Sequence, residues 1–398
     1  MKVETFAEKE KNIRFRDMRL KIRQMIKLMS LGFIGLALLS CSKGDSEPEY
    51  QKPMSFSGYT ARSATKANGS FVTGNALPSG QAFGVYAYNT GTEAEFDPTR
   101  VAPEEQGVVA YGKFMSDVKV TYNGGDASSE TSYDYNPKRY WPNSKESNRL
   151  AFFAYYPYNG AGITRTGFAD FSFTVQDSPA SQVDFMLSDV VANQMYGATG
   201  SAHNRTDVVD LKFYHMLTQI KFKGIADVTG VPSDVNVSIK IKELKVVNVL
   251  NSGTLTPTLN VETEEPLWTL GNTTKDYSIT LKNMNLPTDE AAFIAEDNQI
   301  LLMIPQGLAT DDDFVKLSVT YTITIPSPTN SSETQEIEQT AIIDLSKAKN
   351  KEDNNEIINA WTRNQQIVYT LKIGLRLIDF SADVTDWEDG ANGSIGVE

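Results

Sequence analysis

The chain is nearly without cysteine and histidine: one and two, respectively, in 398 residues. A single thiol cannot form an intrachain disulfide, so stability must come from packing. The cysteine is Cys41, and the histidines are His203, in a polar stretch, and His215, in an apolar run. Two isolated imidazoles offer neither a metal-ligand cluster nor a nucleophile–base pair, and His215 reads as structural. No metal and no cofactor is expected. No glycine-rich phosphate loop follows a strand pattern, and no repeat with a period of about 20 to 50 residues suggests a propeller or solenoid. Long apolar runs are also scarce. The one that stands out, Leu28 to Leu39, is too short to span a bilayer comfortably.

That run follows Arg19, Lys21, Arg23 and Lys27 and reads as a signal peptide. Residues from Met1 to about Asp17 fit no part of such a signal, while Met18, Met25 and Met29 lie nearer the apolar run, so the start reads as over-long. The run ends Leu38-Leu39-Ser40-Cys41, followed by the hydrophilic Ser42-Lys43-Gly44-Asp45-Ser46-Glu47. This is a lipobox pattern: aliphatic residues, a small residue, then the cysteine that takes the lipid. Residues 1–40 are expected to be removed, with Cys41 lipidated. The formal charge of the whole chain is −13. Residues 1–40 hold nine basic and four acidic residues, leaving 28 basic against 46 acidic, a formal −18. Such a chain lacks the clustered cations that nucleic acid requires, and its membrane contact is expected through the lipid alone. Asp45 and Glu47 beside Cys41 suit an outer-membrane surface location, although Lys43 interrupts the acidic tag.

Residues 41–80 are rich in small and polar residues, apart from the alternating Met54-Ser55-Phe56-Ser57-Gly58-Tyr59, which reads as a first strand. The stretch Thr60 to Lys66 reads as a protease-accessible loop. Beyond it, Phe83 to Tyr88, Leu150 to Tyr156 and Phe171 to Val175 are apolar runs between turn signals, one of which is Tyr122-Asn123-Gly124-Gly125-Asp126. In the second half, Val235, Val237, Ile239 and Ile241 alternate with polar residues, as do Val315, Leu317, Val319, Tyr321, Ile323 and Ile325. A period of two over that length excludes a helix. Helical signal is confined to Glu356 to Trp361. The pattern predicts an all-β chain of two packed sandwiches, with a composition break near Gly197 to Ser201: residues 81–200 and 201–398.

Several segments, in order, resemble the Mfa-like fimbrillins, lipoprotein subunits of type V pili in Bacteroides and its relatives. They are Phe114 to Tyr122, Tyr135 to Pro142, Ala151 to Tyr158, Gln182 to Met186, Leu211 to Phe222, Ile304 to Gln306, Trp361 to Gln365 and Phe380 to Trp387. The resemblance implies two tandem transthyretin-like sandwiches, antiparallel with Greek-key-type connections, and no enzymatic activity. It also implies assembly by strand exchange with other pilin subunits. A processing protease removes the first strand, and a strand of the next subunit fills the groove. Met54, Phe56 and Tyr59 are then the candidate plug in the precursor. Arg62, the lone arginine between Cys41 and Arg100, is the candidate processing site, or else a solvated loop residue alongside Lys52 and Lys66. The run Ile378, Phe380, Ala382 and Val384 is either a donor strand or a resident one.

A second reading is a surface glycan-binding lipoprotein that does not polymerise, using Tyr86/Tyr88, Tyr133/Tyr135/Tyr140/Trp141 and Tyr155/Tyr156/Tyr158 as sugar platforms. Aromatics at a period of two are more often core and cross-strand pairs. The acidic groups Asp311-Asp312-Asp313, Asp386 with Glu388 and Asp389, and Asp184 with Asp189 read as turn and surface residues rather than a glycosidase pair or calcium loop.

Overall fold

Apolar runs become strands, and the helical pieces among the described residues are short 3-10 turns, including Pro98–Arg100, Pro179–Ser181 and Leu345–Lys347. A computed structural model describes residues 53–387 except 61–76, 78, 102–107, 126–131, 143–147, 169, 196–207, 262, 264–266, 310–314, 328, 330–331, 351–355 and 376–377. Contacts divide the chain into Met1–Gln51, outside the described residues, and Lys52–Glu398.

The strands of the first half are β1 (Ser55–Thr60), β2 (Ala82–Gly91), β3 (Gly112–Tyr122), β4 (Tyr133–Asp134), β5 (Arg149–Tyr156), β6 (Ile163–Gly167), β7 (Asp170–Thr174), β8 (Met186–Ser188) and β9 (Val191–Gln194). Then come β10 (Val208–His215), β11 (Thr218–Asp227), β12 (Ser238–Leu250), β13 (Ser252–Thr256), β14 (Leu267–Leu270), β15 (Thr274–Ser278), β16 (Ala292–Phe293) and β17 (Leu301–Met303). The last are β18 (Gln306–Gly307), β19 (Lys316–Pro326), β20 (Thr334–Asp344), β21 (Lys349–Asn350), β22 (Ala360–Trp361), β23 (Gln365–Gly374) and β24 (Ile378–Asp386).

The first sheet has eight strands in the order β1-β10-β8-β5-β2-β3-β4, with β9 also on β5. Its central strands are buried on both faces. On β2 and β5, Phe83, Val85, Ala87, Leu150, Phe152 and Ala154 belong to one core, while Tyr86, Tyr88, Ala151, Phe153 and Tyr155 belong to the other. That double burial is why these strands read as continuous apolar runs rather than alternating ones. The second core continues through a six-stranded sheet, β16-β11-β23-β24-β21 with β17 on β11, and a four-stranded sheet, β15-β12-β19-β20. Here the alternation is clean: Leu317, Val319, Tyr321 and Ile323 of β19 are buried. Pairing is mostly antiparallel, with parallel ladders at β1–β10, β11–β23 and β21–β24.

Hydrogen bonding crosses the composition break near residue 200. The strand after it, β10, pairs with β8 and β1 of the first sheet, and β13 pairs with β7 in the sheet β14-β13-β7-β6. Composition marks a connection there, but ladder partners are chosen by apolar faces. Two local expectations change. Val235 and Val237 precede β12, and the Val235 amide closes a turn on Pro232 O at 3.0 Å. The stretch Glu356 to Trp361 is not helical: Ile357 bridges Lys349 and Ala360–Trp361 is β22. There burial of Trp361, whose Nε1 donates to Tyr369 Oη at 3.0 Å, outweighs local propensity. The expected turn after β3 is present, with Gly124 and Gly125 at φ 92° and 98°, a region that favours glycine.

Burial raises the hydroxyl pKa of several tyrosines above the ordinary 10.0: to about 12 for Tyr86, and upward for Tyr155, Tyr277 and Tyr369. A pKa raised on folding contributes stability that is complete below the unfolded value and is lost as pH climbs toward the folded one. Circular dichroism should therefore show unfolding beginning above about pH 10, with tyrosinate absorbance rising in the same step. Early tyrosinate titration of a still-folded chain would show these rings open to water.

The strand slot as candidate functional site

Among the described residues, β1 has a backbone ladder along one side, to β10. Six residues pair in parallel with β10, from Ser55 opposite Val208 to Thr60 opposite Phe213. The Ser57 hydroxyl adds a bond to the Asp210 carboxylate. On its other side β1 meets the far end of the same sheet, so the two ends of the eight-stranded ladder come together. The contacts there come largely from side chains: Tyr135 Oη donates to Met54 O at 2.9 Å, and Tyr133 Oη donates to Gly58 O. The Met54 amide donates to Arg139 O at 2.8 Å, and Pro53 bridges Tyr140. Burial pushes the Tyr135 hydroxyl pKa up, keeping it protonated and donating.

Inside the slot, Met54 and Phe56 are 2% and 1% exposed and belong to the core that the first sheet encloses. The Phe56 ring meets Tyr135 edge-on at 5.3 Å between centroids and Phe152 at 6.0 Å. Tyr59 lies in β1 with its backbone opposite Lys212, one step out of phase with Met54 and Phe56. The position in phase with them is Gly58, opposite Leu211. Cys41 and Arg62 lie outside the described residues, as do His203, Asp311, Asp312, Asp313, Glu388 and Asp389.

The terminal run Ile378, Phe380, Ala382 and Val384 sits in β24, antiparallel to β23 over nine residue pairs. Among the described residues, its outer side pairs with Lys349 and Asn350 alone. Ala382 is fully buried, Phe380 stacks on Tyr369 at 5.2 Å, and Ile378 and Val384 are partly buried. Just past it, Trp387 stacks on His215 at 3.8 Å with the rings 5° apart, and His215 Nδ1 lies 2.9 Å from Asp184 Oδ1. Asp189 accepts from the Val261 amide at 2.7 Å and from Tyr214 Oη at 3.1 Å. His215, Asp184 and Asp189 are thus built into chain-to-chain ties.

The aromatic clusters are mostly core. Tyr86, Tyr88, Tyr133, Tyr135, Trp141 and Tyr155 are buried, and only Tyr140, at 46% exposure, stands well out. Sequence reading missed the polar link behind β2 and β5, where Arg165 donates to Asp117 through Nε at 3.1 Å and lies 4.4 Å over the Tyr155 ring. Asp117 sits at φ 53° in a bulge of β3, which spacing alone does not reveal.

The geometry defines an all-β protein in which β1, the first strand among the described residues, closes a sheet. A fimbrillin-like family model matches residues 65–387, and the chain belongs to that family. A fimbrial protein from Bacteroides vulgatus ATCC 8482 has the same fold: 20% identity, 84% of this chain and 99% of that one covered, TM-score 0.52. The tip fimbrial protein Mfa3 from Porphyromonas gingivalis aligns at 10% identity over 78% of this chain and 95% of that one, TM-score 0.36. No curated protein matches the sequence. Family membership supports a pilus subunit at the cell surface, a structural rather than catalytic role. Among the described residues no helix is long and apolar enough to cross a membrane.

Replacing Phe56 by Ala should cost about 3–5 kcal/mol in urea unfolding, the range for emptying an aromatic core site. Ile342→Ala, at a side chain 61% exposed, should change stability by less than about 0.5 kcal/mol. Equal effects would show that β1 is not packed as described.

Proposed function

We propose that this chain is a fimbrillin exported as a lipoprotein precursor, lipidated at Cys41 on the outer-membrane surface, and assembled into a pilus by protease-triggered strand exchange. The observation that carries this is β1 itself: an N-terminal strand with backbone pairing along one edge, filling a slot with Met54 and Phe56. Burying each of these side chains contributes roughly 1.5–3 kcal/mol. A sheet deprived of that strand exposes both an apolar groove and the unpaired edge of β10, which a strand from another subunit restores together.

In this reading Arg62 is where the processing protease cuts, two residues beyond the end of β1. The released segment carries Cys41 and the lipid away with it. The donor is the terminal run of a neighbouring copy, Ile378, Phe380, Ala382 and Val384, for which two features speak. Among the described residues its outer side pairs with Lys349 and Asn350 alone, and its apolar residues alternate. The partners are other pilin subunits, and residues 41–80 are the lipidated segment ahead of the rest of the chain.

The test is digestion of the purified soluble precursor with an arginine-specific protease, followed by intact mass, N-terminal sequencing and size-exclusion chromatography. A new N-terminus at Ser63 and an SDS-resistant ladder of oligomers are expected, and Arg62→Gln should abolish both. A trimmed chain that remains monomeric would overturn strand exchange and favour a non-polymerising binder of glycans.

A further inference from the structure

The slot that holds β1 changes shape along its length. It accepts the large side chains of Met54 and Phe56, but two residues on it narrows. A Cβ added to Gly58 would lie 3.2 Å from Phe83 Cε1 and 3.3 Å from Phe213 Cε2. Both rings are fully buried. They pack on each other at 5.3 Å, and Tyr133 backs Phe83 at 5.9 Å. With both rings enclosed, an alanine needs a few tenths of an ångström of give and a branched side chain needs the core to move. The two tyrosine hydroxyls bracket the same stretch, taking the carbonyls of Met54 and Gly58.

We infer that the slot selects its strand by sequence. Phe83 and Phe213 act as a size gate and Tyr133 and Tyr135 as register clamps, admitting the pattern bulky apolar, any residue, Phe, any residue, Gly or Ala. This rests on the strand-exchange reading and specifies its partner, the Ile378–Ala382 segment of a second copy. That segment places Ile, Phe and Ala at the three inward positions and Ser381 where Ser57 stands. In the same register Asp383 takes the place of Tyr59, opposite Lys212, and the opposed charges favour the pair. The spacing recurs at Leu31–Gly35, Leu150–Ala154 and Ile220–Gly224. The first of these lies in the apolar export run. The other two are in β5 and β11, whose second edges carry four and five ladder pairs, against the two that β21 gives the outer edge of β24.

The gate is tested with the full chain nicked by an arginine-specific protease. Peptides matching residues 53–60 and 377–384, each made with Gly, Ala, Val or Leu at the gate position, compete against a fluorescein-labelled 53–60 peptide. Gly and Ala peptides should bind within about threefold of each other, and Val and Leu peptides more weakly by about tenfold or more. The Tyr133→Phe/Tyr135→Phe chain should weaken every peptide by a common factor and leave the Gly-to-Val step intact. Val or Leu peptides that bind as tightly as Gly overturn the gate, and an unchanged affinity in the double Phe variant overturns the clamps. A nicked chain that exchanges no peptide defeats the strand-exchange reading instead. The gate is then read in the intact chain, where Gly58→Val should lower the melting midpoint well below that of Gly58→Ala, and equal midpoints overturn it.

Discussion

The closure of the first sheet by β1 is the constraint from which the rest follows. A ladder that began at β10 and ended at β4 would leave two edges facing each other across an apolar gap, lined by Phe83, Phe152, Phe213 and Tyr135. One strand satisfies both edges by different means. Toward β10 it supplies backbone hydrogen bonds, and toward β4 its carbonyls take tyrosine hydroxyls. Buried carbonyls without such partners each carry a desolvation cost of about 1–3 kcal/mol. The tyrosines therefore do what a neighbouring strand's amides would do. They also add ring contacts to Phe56 and Phe83 that amides could not.

The division of the two cores bears on how such a chain withstands losing a strand. Every residue of the core under β1 comes from the first sheet or the segments flanking its strands, while the opposite face of β2 and β5 belongs to the larger core that runs on to Trp387. The sheet is held from behind by Tyr86, Tyr88, Phe153 and Tyr155, packed with Phe168 and Phe171. Removing β1 empties one side only. A sheet packed on a single face would lose its only hold in the same event.

Much of this was legible from residue order, and the exceptions have identifiable causes. The period of two in β19 fixed both strand and buried face, because one side meets water. The apolar runs in β2 and β5 marked strands but not which side faced which core, since both are buried. Tyr86, Tyr133 and Tyr155 were open to a glycan-platform reading until their burial assigned them to packing. Alternation marked Met54 to Tyr59 as a strand, and the family resemblance made Met54, Phe56 and Tyr59 its candidate plug, yet the narrowing at Gly58 depends on Phe83 and Phe213, which come from strands 25 and more residues away. Ladder partners were the least legible feature. The pairing of β7 with β13 and of β10 with β1 spans long stretches of chain, and local pattern contains no record of it.

The terminal strand sets the energetic terms of the proposed exchange. Leaving its resident place costs β24 nine ladder pairs, the Phe380–Tyr369 stack and the tie of Trp387 to His215. Ile378, Phe380 and Val384 are only partly buried there, with Ala382 alone fully enclosed. The slot under β1 encloses its occupants almost completely, at 2% for Met54 and 1% for Phe56. In the proposed exchange the run would give up nine pairs with β23 and two with β21 for six with β10, and the apolar burial gained in the slot, at about 25 cal/mol per Å², has to offset that loss. The same bookkeeping gives no drive while β1 still fills the slot. A tethered occupant is present at high effective concentration, so under the proposed mechanism the slot opens to another strand only once the tether of β1 is cut.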